Sequence, residues 1–402
     1  MSTFIPINQT RAREALRSAI ASERVAHAYL FHGPDGVGKR AVALEFAKAL
    51  LCEKASGVAC GSCIPCQKVS RGVHPDLHVL IPQPKDADAA DVAKRLSRLF
   101  QNPYATVDFA RRPVLDDPER VSSKQAGYLI DRVHAELHRA FSFKPVEGAY
   151  KIGILTDAHL LGRQSANAFL KLLEEPSPRT VFVLTTSRID HILPTILSRC
   201  QRVVFAPLPP AEIASRLVDE TDLTREDADV IAQMSDGSFS RALDLAGDTG
   251  LMAMRASVVK LFRVIWLVDG SRKPDDVDRF IDMVAEHAGL GRERLKNLLR
   301  LMLGWLGDIV TYRATGHVDL LVNVDQAEQV QKFADNLSEA NVPGMIGLVE
   351  EAFELIQRNV HLTLLVSRLY NELRRAMRGE DVDRLYVPLV EWTQTEAPVP
   401  AP

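Results

Sequence analysis

The run Ala28-Tyr-Leu-Phe-His-Gly33-Pro-Asp-Gly36-Val-Gly38-Lys39 carries an apolar segment straight into a glycine-rich turn that ends on a lysine. A loop of the form G-x-x-x-x-G-K-[ST] follows a strand and opens a helix, so that its backbone N–H groups converge on phosphate oxygens. Gly33, Gly36, Gly38 and Lys39 supply that cradle here. The chain is thereby directed to an α/β fold in which a strand feeds a helix through the loop. Arg40 stands where a hydroxyl normally joins the magnesium shell, and a guanidinium has no lone pair to offer a metal.

The surrounding pattern agrees with that fold. Short β-branched or apolar runs at 28–32, 77–80, 151–155, 181–185 and 202–205 alternate with amphipathic stretches at 11–21, 39–51, 126–139 and 164–173. Strand alternating with helix predicts a parallel sheet with helices on both faces. Ala206-Pro-Leu-Pro-Pro210 ends the alternation, since consecutive prolines continue neither element. The pattern predicts an α/β domain over 1–207, a small helical lid over 208–250, an all-α domain over 251–380 and a disordered tail over 381–402. Leu295, Leu298, Leu299, Met302, Trp305, Leu306 and Ile309 recur every three or four residues on one helical face, as core or as a subunit interface. The proline-punctuated stretch 82–118 reads as a mobile insert.

With 402 residues and a net charge of −3, the chain has material for two or three domains and no excess of cations for blanketing nucleic acid. It contains no run of about 18 uncharged apolar residues and no signal-like N-terminus, which predicts a cytoplasmic protein without membrane contact. Four of its five cysteines fall between Cys52 and Cys66. Cys60-Gly-Ser-Cys63-Ile-Pro-Cys66 with Cys52 upstream can wrap one tetrahedral ion, and four protein thiolates leave no open position. A structural zinc is therefore expected, with an iron–sulfur cluster as the alternative.

A zinc module between the phosphate-loop helix and the next strand resembles the arrangement in bacterial clamp loader subunits. His27-Ala-Tyr-Leu-Phe-His-Gly33 resembles that family's lead-in strand, Asn167-Ala-Phe-Leu-Lys-Leu-Leu-Glu-Glu-Pro176 its helix ending in Glu-Glu-Pro, and Ile196-Leu-Ser198-Arg199-Cys200 its Ser-Arg-Cys motif. The likeness spans about the first 250 residues. It implies a P-loop AAA+ domain carrying the zinc module, a small lid, and a helical collar that holds subunits in an open ring. It implies gamma/tau and delta subunits as partners, with the sliding clamp and primed DNA reached through the complex.

Set against the family pattern, the hydrolytic parts are altered. In Lys151-Ile-Gly-Ile-Leu155-Thr156-Asp157-Ala-His159, Thr156 falls on the metal-positioning aspartate and Asp157 on the catalytic glutamate. In Gly237-Ser238-Phe239-Ser240-Arg241-Ala242-Leu243 the lid arginine is shifted by one place, which turns a helical side chain by about 100°. Arg199 is kept, and the resemblance implies that it reaches a neighbour's ATP, where an always-charged two-pronged donor stabilises the transition state. The expected function is a rigid stator lacking hydrolysis of its own, with binding of ATP in the loop left open. The rival readings are an ATP-hydrolysing motor subunit and a free-standing zinc-bearing DNA-binding protein.

Overall fold

A computed structural model describes residues 5–54, 57–116, 126–129, 137–248, 250–267, 274–358 and 360–386. Its internal contacts separate Met1–Gly247 from Asp248–Pro402, so that the helices after the Pro-rich break group with the sheet.

The first unit is built on five parallel strands, β1 (Ala28–His32), β2 (Leu77–Leu80), β3 (Lys151–Leu155), β4 (Thr180–Thr186) and β5 (Gln201–Val204), in the order β2-β3-β4-β1-β5. All seven residues of β4 and all five of β3 are buried, as in a sheet covered on both faces. The edge strand β5 exposes Gln201, Arg202 and Val204, which fits an edge that must not recruit another strand. β1 lies between β4 and β5, with Tyr29 opposite both Val183 and Gln201. Helices α1 (Thr10–Ala21), α2 (Lys39–Leu50) and α3 (Ile64–Ser70) precede β2.

The stretch expected to be mobile is ordered over its described part. Asp88 caps α4 (Ala89–Gln101) by accepting from the Ala90 amide, and α4 buries Val92, Arg95 and Leu99. Val92 and Leu99 pack with Ile81, Val107 and Phe109 in a small core of their own. The prolines punctuate the segment without freeing it, because Arg95 holds its backbone together. The helix expected at 126–139 does not start at 126. Residues 126–129 run extended, with Gly127 bridged to Gln83 and the Tyr128 hydroxyl donating to the Leu80 and Thr156 carbonyls. The tyrosine is thus drawn into sheet-end hydrogen bonding, residues 137–141 are helical, and 130–136, half of the expected helix, lie outside the described residues.

After α5 (Arg163–Glu174) and the short α6 (Pro194–Leu197) come α7 (Pro210–Glu220), α8 (Arg225–Met234) and α9 (Phe239–Ala246), the predicted lid helices. Thr224 and Ser238 cap α8 and α9 through their hydroxyls.

The second unit contains α10 (Leu251–Leu267), α11 (Pro274–Gly289), α12 (Arg292–Thr315), α13 (Ala327–Asn336), α14 (Val342–Gln357) and α15 (Leu362–Met377). The stripe from Leu295 to Ile309 lies on α12 and is buried inside this unit, with Trp305 stacked on Phe262 at 5.0 Å and edge-on to Phe333 at 4.9 Å. Residues 381–386, expected to begin the disordered tail, are tied down. The Asp383 amide donates to Glu372, and the Leu385 and Tyr386 amides donate to Glu351. The rest of the expected tail lies outside the described residues. Among the described residues no helix is long and apolar enough to cross a membrane.

Candidate functional site

The phosphate loop joins the C-terminal end of β1 to the N-terminus of α2, the place where a parallel sheet presents backbone N–H groups and a helix dipole to an anion. Gly38 has φ +105°, a left-handed conformation that costs glycine nothing. A Cβ there would also stand 2.6 Å from the Tyr104 hydroxyl. At Gly36 (φ +71°) a Cβ would meet the Ser238 hydroxyl at 2.0 Å. The loop is therefore approached closely by the 82–116 segment at one glycine and by the lid at another.

Lys39 is turned back onto its own loop. Its ammonium donates to the Gly33 carbonyl at 2.7 Å and to the Pro34 carbonyl. Burial lowers its pKa to about 8, against the opposing pull of Asp35 and Asp157. Arg40 leaves the start of α2 and donates to the Ala105 carbonyl at 3.0 Å. Its pKa is lowered by burial, with Asp157 the foremost opposing charge. Burial raises the Asp157 carboxyl, Arg40 pulls it down, and Asp108 and Asp35 push it further up. Thr156 is buried, its hydroxyl 3.5 Å from the Leu80 carbonyl that also accepts its amide. Thr185 accepts the Asp157 amide, and Thr186 bonds the His159 ring at 3.1 Å. The loop region thus gathers Lys39, Arg40 and Arg111 with Asp35, Asp108 and Asp157, three cations facing three carboxylates.

On the lid side, the Phe239 amide donates to the Gly36 carbonyl at 3.0 Å, and Ser240 is buried behind the same glycine with its hydroxyl unpartnered. Arg241 pairs with Asp236 at 2.6 Å. The serine and not the arginine therefore stands next to the loop.

Arg199 lies at the other end of the sheet. It follows α6 and precedes β5, and β5 runs parallel to β1, so Arg199 is level with the start of β1 while the phosphate loop is at its end. Five strand residues separate the two levels by about 17 Å. The guanidinium donates to Glu174 at 2.9 Å, the Thr195 carbonyl at 3.1 Å and the Ser198 hydroxyl at 3.4 Å, with 36% of the side chain exposed. Cys200, at the neighbouring position, is buried, and burial pushes its thiol up to about 12, as for a small core residue.

Cys52, Cys60, Cys63 and Cys66 converge, with their sulfurs all within 4.8 Å of one another. A tetrahedral ion with Zn–S bonds of 2.3 Å sets its sulfurs about 3.8 Å apart, so the donor set and its size fit such an ion after a small contraction. The Cys63 amide donates to the Cys60 sulfur, the leading cause of a thiol pKa lowered to about 5, and the Cys60 amide donates to the Cys52 sulfur. N–H···S bonds of this kind favour the thiolate that a metal requires.

Tyr104, Asp108, Arg111, Arg112 and Asp244 bear on the loop without having been singled out in the sequence. The readable signal was Asp88 ahead of Val92, Leu96 and Leu99, a cap followed by helical spacing, which marks α4 as the anchor of this segment.

The sheet order, the phosphate loop, the lid helices and the four-cysteine cluster together define a P-loop protein of the AAA+ class. A sequence profile described as DNA polymerase III, delta subunit matches residues 8–209, and the chain belongs to that family. Among curated relatives, the DNA polymerase III subunit delta' of Bacillus subtilis is 28% identical over 90% of this chain and 94% of its own length. That of Pseudomonas aeruginosa is 29% identical over 86% and 90%. The tau subunit of Bacillus subtilis is 25% identical over 88% of this chain and 58% of its own length. A solved gamma subunit-related protein from Thermotoga maritima aligns over 91% of this chain and 100% of that one at 18% identity, with a TM-score of 0.36. The chain is a DNA polymerase III clamp loader subunit of the delta' and tau kind.

Proposed function

We propose that this chain acts as a delta'-type stator of the clamp loader. It assembles with tau/gamma and delta subunits in the cytoplasm, hydrolyses no ATP of its own, and presents Arg199 to the ATP of an adjacent motor subunit. The observation that carries the proposal is the placement of Arg199. It is about one-third exposed, it sits about 17 Å from the level of the chain's own phosphate loop, and it is held by Glu174, Thr195 and Ser198 with donors to spare. A guanidinium so placed cannot serve the chain's own loop, yet it suits a phosphate on a neighbour.

Three features of the loop support the absence of hydrolysis. Lys39 is engaged by loop carbonyls. Arg40 replaces the magnesium-binding hydroxyl, and Thr156 offers no carboxylate to the ion. Cys52, Cys60, Cys63 and Cys66 would hold a zinc ion, which closes the 52–66 excursion and brings no open coordination site. The division into sheet domain, lid and collar follows the same reading, with the second unit as collar.

The reading is tested by mixing the purified chain with the tau and delta subunits and following both assembly and ATP turnover. The chain is expected to enter a stable complex and, when isolated, to release no phosphate above background. Phosphate release by the isolated chain that disappears on Lys39→Ala would favour a motor subunit instead.

A further inference from the structure

Residues 102–112 form an ordered path from the end of α4 across the phosphate loop to the lid. Their shape is set from behind by Arg95, which is fully buried on α4. Its guanidinium donates to the carbonyls of Val107 at 3.0 Å, Arg112 at 2.8 Å and Pro113 at 3.0 Å, and lies 3.7 Å over the Phe109 ring. A side chain that gathers three carbonyls from both ends of a loop fixes it much as a capping residue fixes a helix end.

From this frame the segment reaches into the nucleotide site. Tyr104 is buried, its hydroxyl accepts the Ile7 amide at 3.0 Å and rests against Gly38, and its ring meets Phe239 of α9 edge-on at 5.1 Å. The Ala105 carbonyl accepts from Arg40. Asp108, paired with Arg111 at 2.7 Å, belongs to the charge cluster around Arg40 and Asp157. The far end is fastened to the lid by Asp244, which accepts from the Thr106 hydroxyl at 2.6 Å and from Arg112 at 2.6 Å.

The two cations of the loop are therefore already partnered within the chain. The carbonyls of Gly33 and Pro34 take the place of phosphate oxygens at Lys39, and the Ala105 carbonyl does so at Arg40. The carboxylates of Asp108 and Asp157 balance the cations that a triphosphate would neutralise. An incoming triphosphate, itself strongly negative, would meet those carboxylates without a magnesium ion to bridge them.

We propose that residues 102–112 are the internal occupant of the nucleotide site, a strap that fills the phosphate loop in place of ATP, and that Asp244 is the latch holding strap and lid together. The lid angle, which nucleotide sets in a motor, is set here by the chain itself. This inference concerns different residues from the Arg199 reading, and either can fail while the other stands.

The test uses the full chain, magnesium-free titration with a fluorescent ATP analogue, and hydrogen exchange followed by mass spectrometry. Wild type is expected to show no saturable binding. Asp244→Ala is expected to raise exchange at 104–112 and at 239–246 by about tenfold or more, since it removes two charge-assisted hydrogen bonds that join strap and lid. The opened variant is expected to bind the analogue saturably and to lose that binding when Lys39→Ala is added. The pair Thr106→Val with Arg112→Gln, which releases the latch from the strap side, is expected to give the same result and replaces Asp244→Ala if that variant does not fold. Lys39-dependent binding by wild type overturns the proposal. So does unchanged exchange in both latch variants, or an opened strap with no gain in binding.

Discussion

Replacing Arg95 with methionine isolates the strap's anchor from the rest of the fold. Methionine keeps most of the aliphatic volume, so the small core of Ile81, Val92, Leu99, Val107 and Phe109 loses little packing. What disappears is the charged donor set that holds the Val107, Arg112 and Pro113 carbonyls, together with the ion pair to Asp91 at 3.1 Å. A hydrogen bond from a charged donor contributes about 1.5–3 kcal/mol net, so three of them bound the loss at roughly 4.5–9 kcal/mol. Two terms reduce that figure. Water can reach the partly buried carbonyls of Arg112 and Pro113, and a buried guanidinium carries a desolvation cost that methionine does not. The remainder is about 3 kcal/mol, confined to the strap, which is roughly a hundredfold shift in its local opening equilibrium. Hydrogen exchange at 104–112 should accelerate about a hundredfold, while the amides of β1 and β4, which share no group with Arg95, keep their protection. A change below about threefold in the strap, or equal loss in the strap and the central strands, would show that Arg95 is not the strap's anchor.

Other consequences can be checked separately. Protein purified without chelator is expected to carry one zinc per chain, and stripping the metal or substituting Cys63→Ser should lower Tm by about 5–10 °C; metal content below half an equivalent would count against the site. Trp305→Ala removes the ring stacked between Phe262 and Phe333 and should cost about 3–5 kcal/mol in urea unfolding of the second unit. Asp76 is buried, which by itself pushes its carboxyl up, but the amides of Val146, Glu147 and Gly148 outweigh burial and hold it below 3.8. Its stabilisation is complete at neutral pH and is lost as pH falls through the lowered folded value. Asp76→Asn should therefore destabilise the chain by about 2–3 kcal/mol at pH 7, with the gap to wild type narrowing below about pH 4. A gap that stays constant between pH 7 and pH 3 would show that the carboxylate charge is not what those amides require.

The sheet was legible because its signal is local. Buried parallel strands read as unbroken apolar runs, and β1, β2 and β3 fall on the predicted bounds, while β4 extends one residue further at each end and β5 shifts by one. The Leu295–Ile309 stripe announced α12 through its spacing, and the cysteine spacing announced the thiol cluster. The segment from 82 to 116 was misjudged because its order comes from one side chain, Arg95, reaching carbonyls 12 to 18 residues away, an interaction with no periodic trace. Tyr128 misled for a related reason. Its surroundings have helical composition, but its hydroxyl is drawn to the carbonyls at the ends of β2 and β3. Arg40, Thr156 and Ser240 could be read as departures from a pattern, whereas what fills the space they leave, Tyr104 and the carbonyl of Ala105, depended on tertiary placement.

In the proposed function this subunit contributes an arginine outward and no hydrolysis inward. The most direct measurement is DNA-stimulated ATP turnover by the complex reconstituted with tau and delta subunits, comparing wild type with Arg199→Ala. On the proposed function only the adjacent motor site would lose an arginine, a group that can contribute 10³-fold or more at the site it serves. The variant complex is expected to stay intact, unchanged in size and subunit content, while its stimulated turnover falls at least about threefold. An intact assembly with unchanged turnover would mean that Arg199 serves no neighbouring ATP.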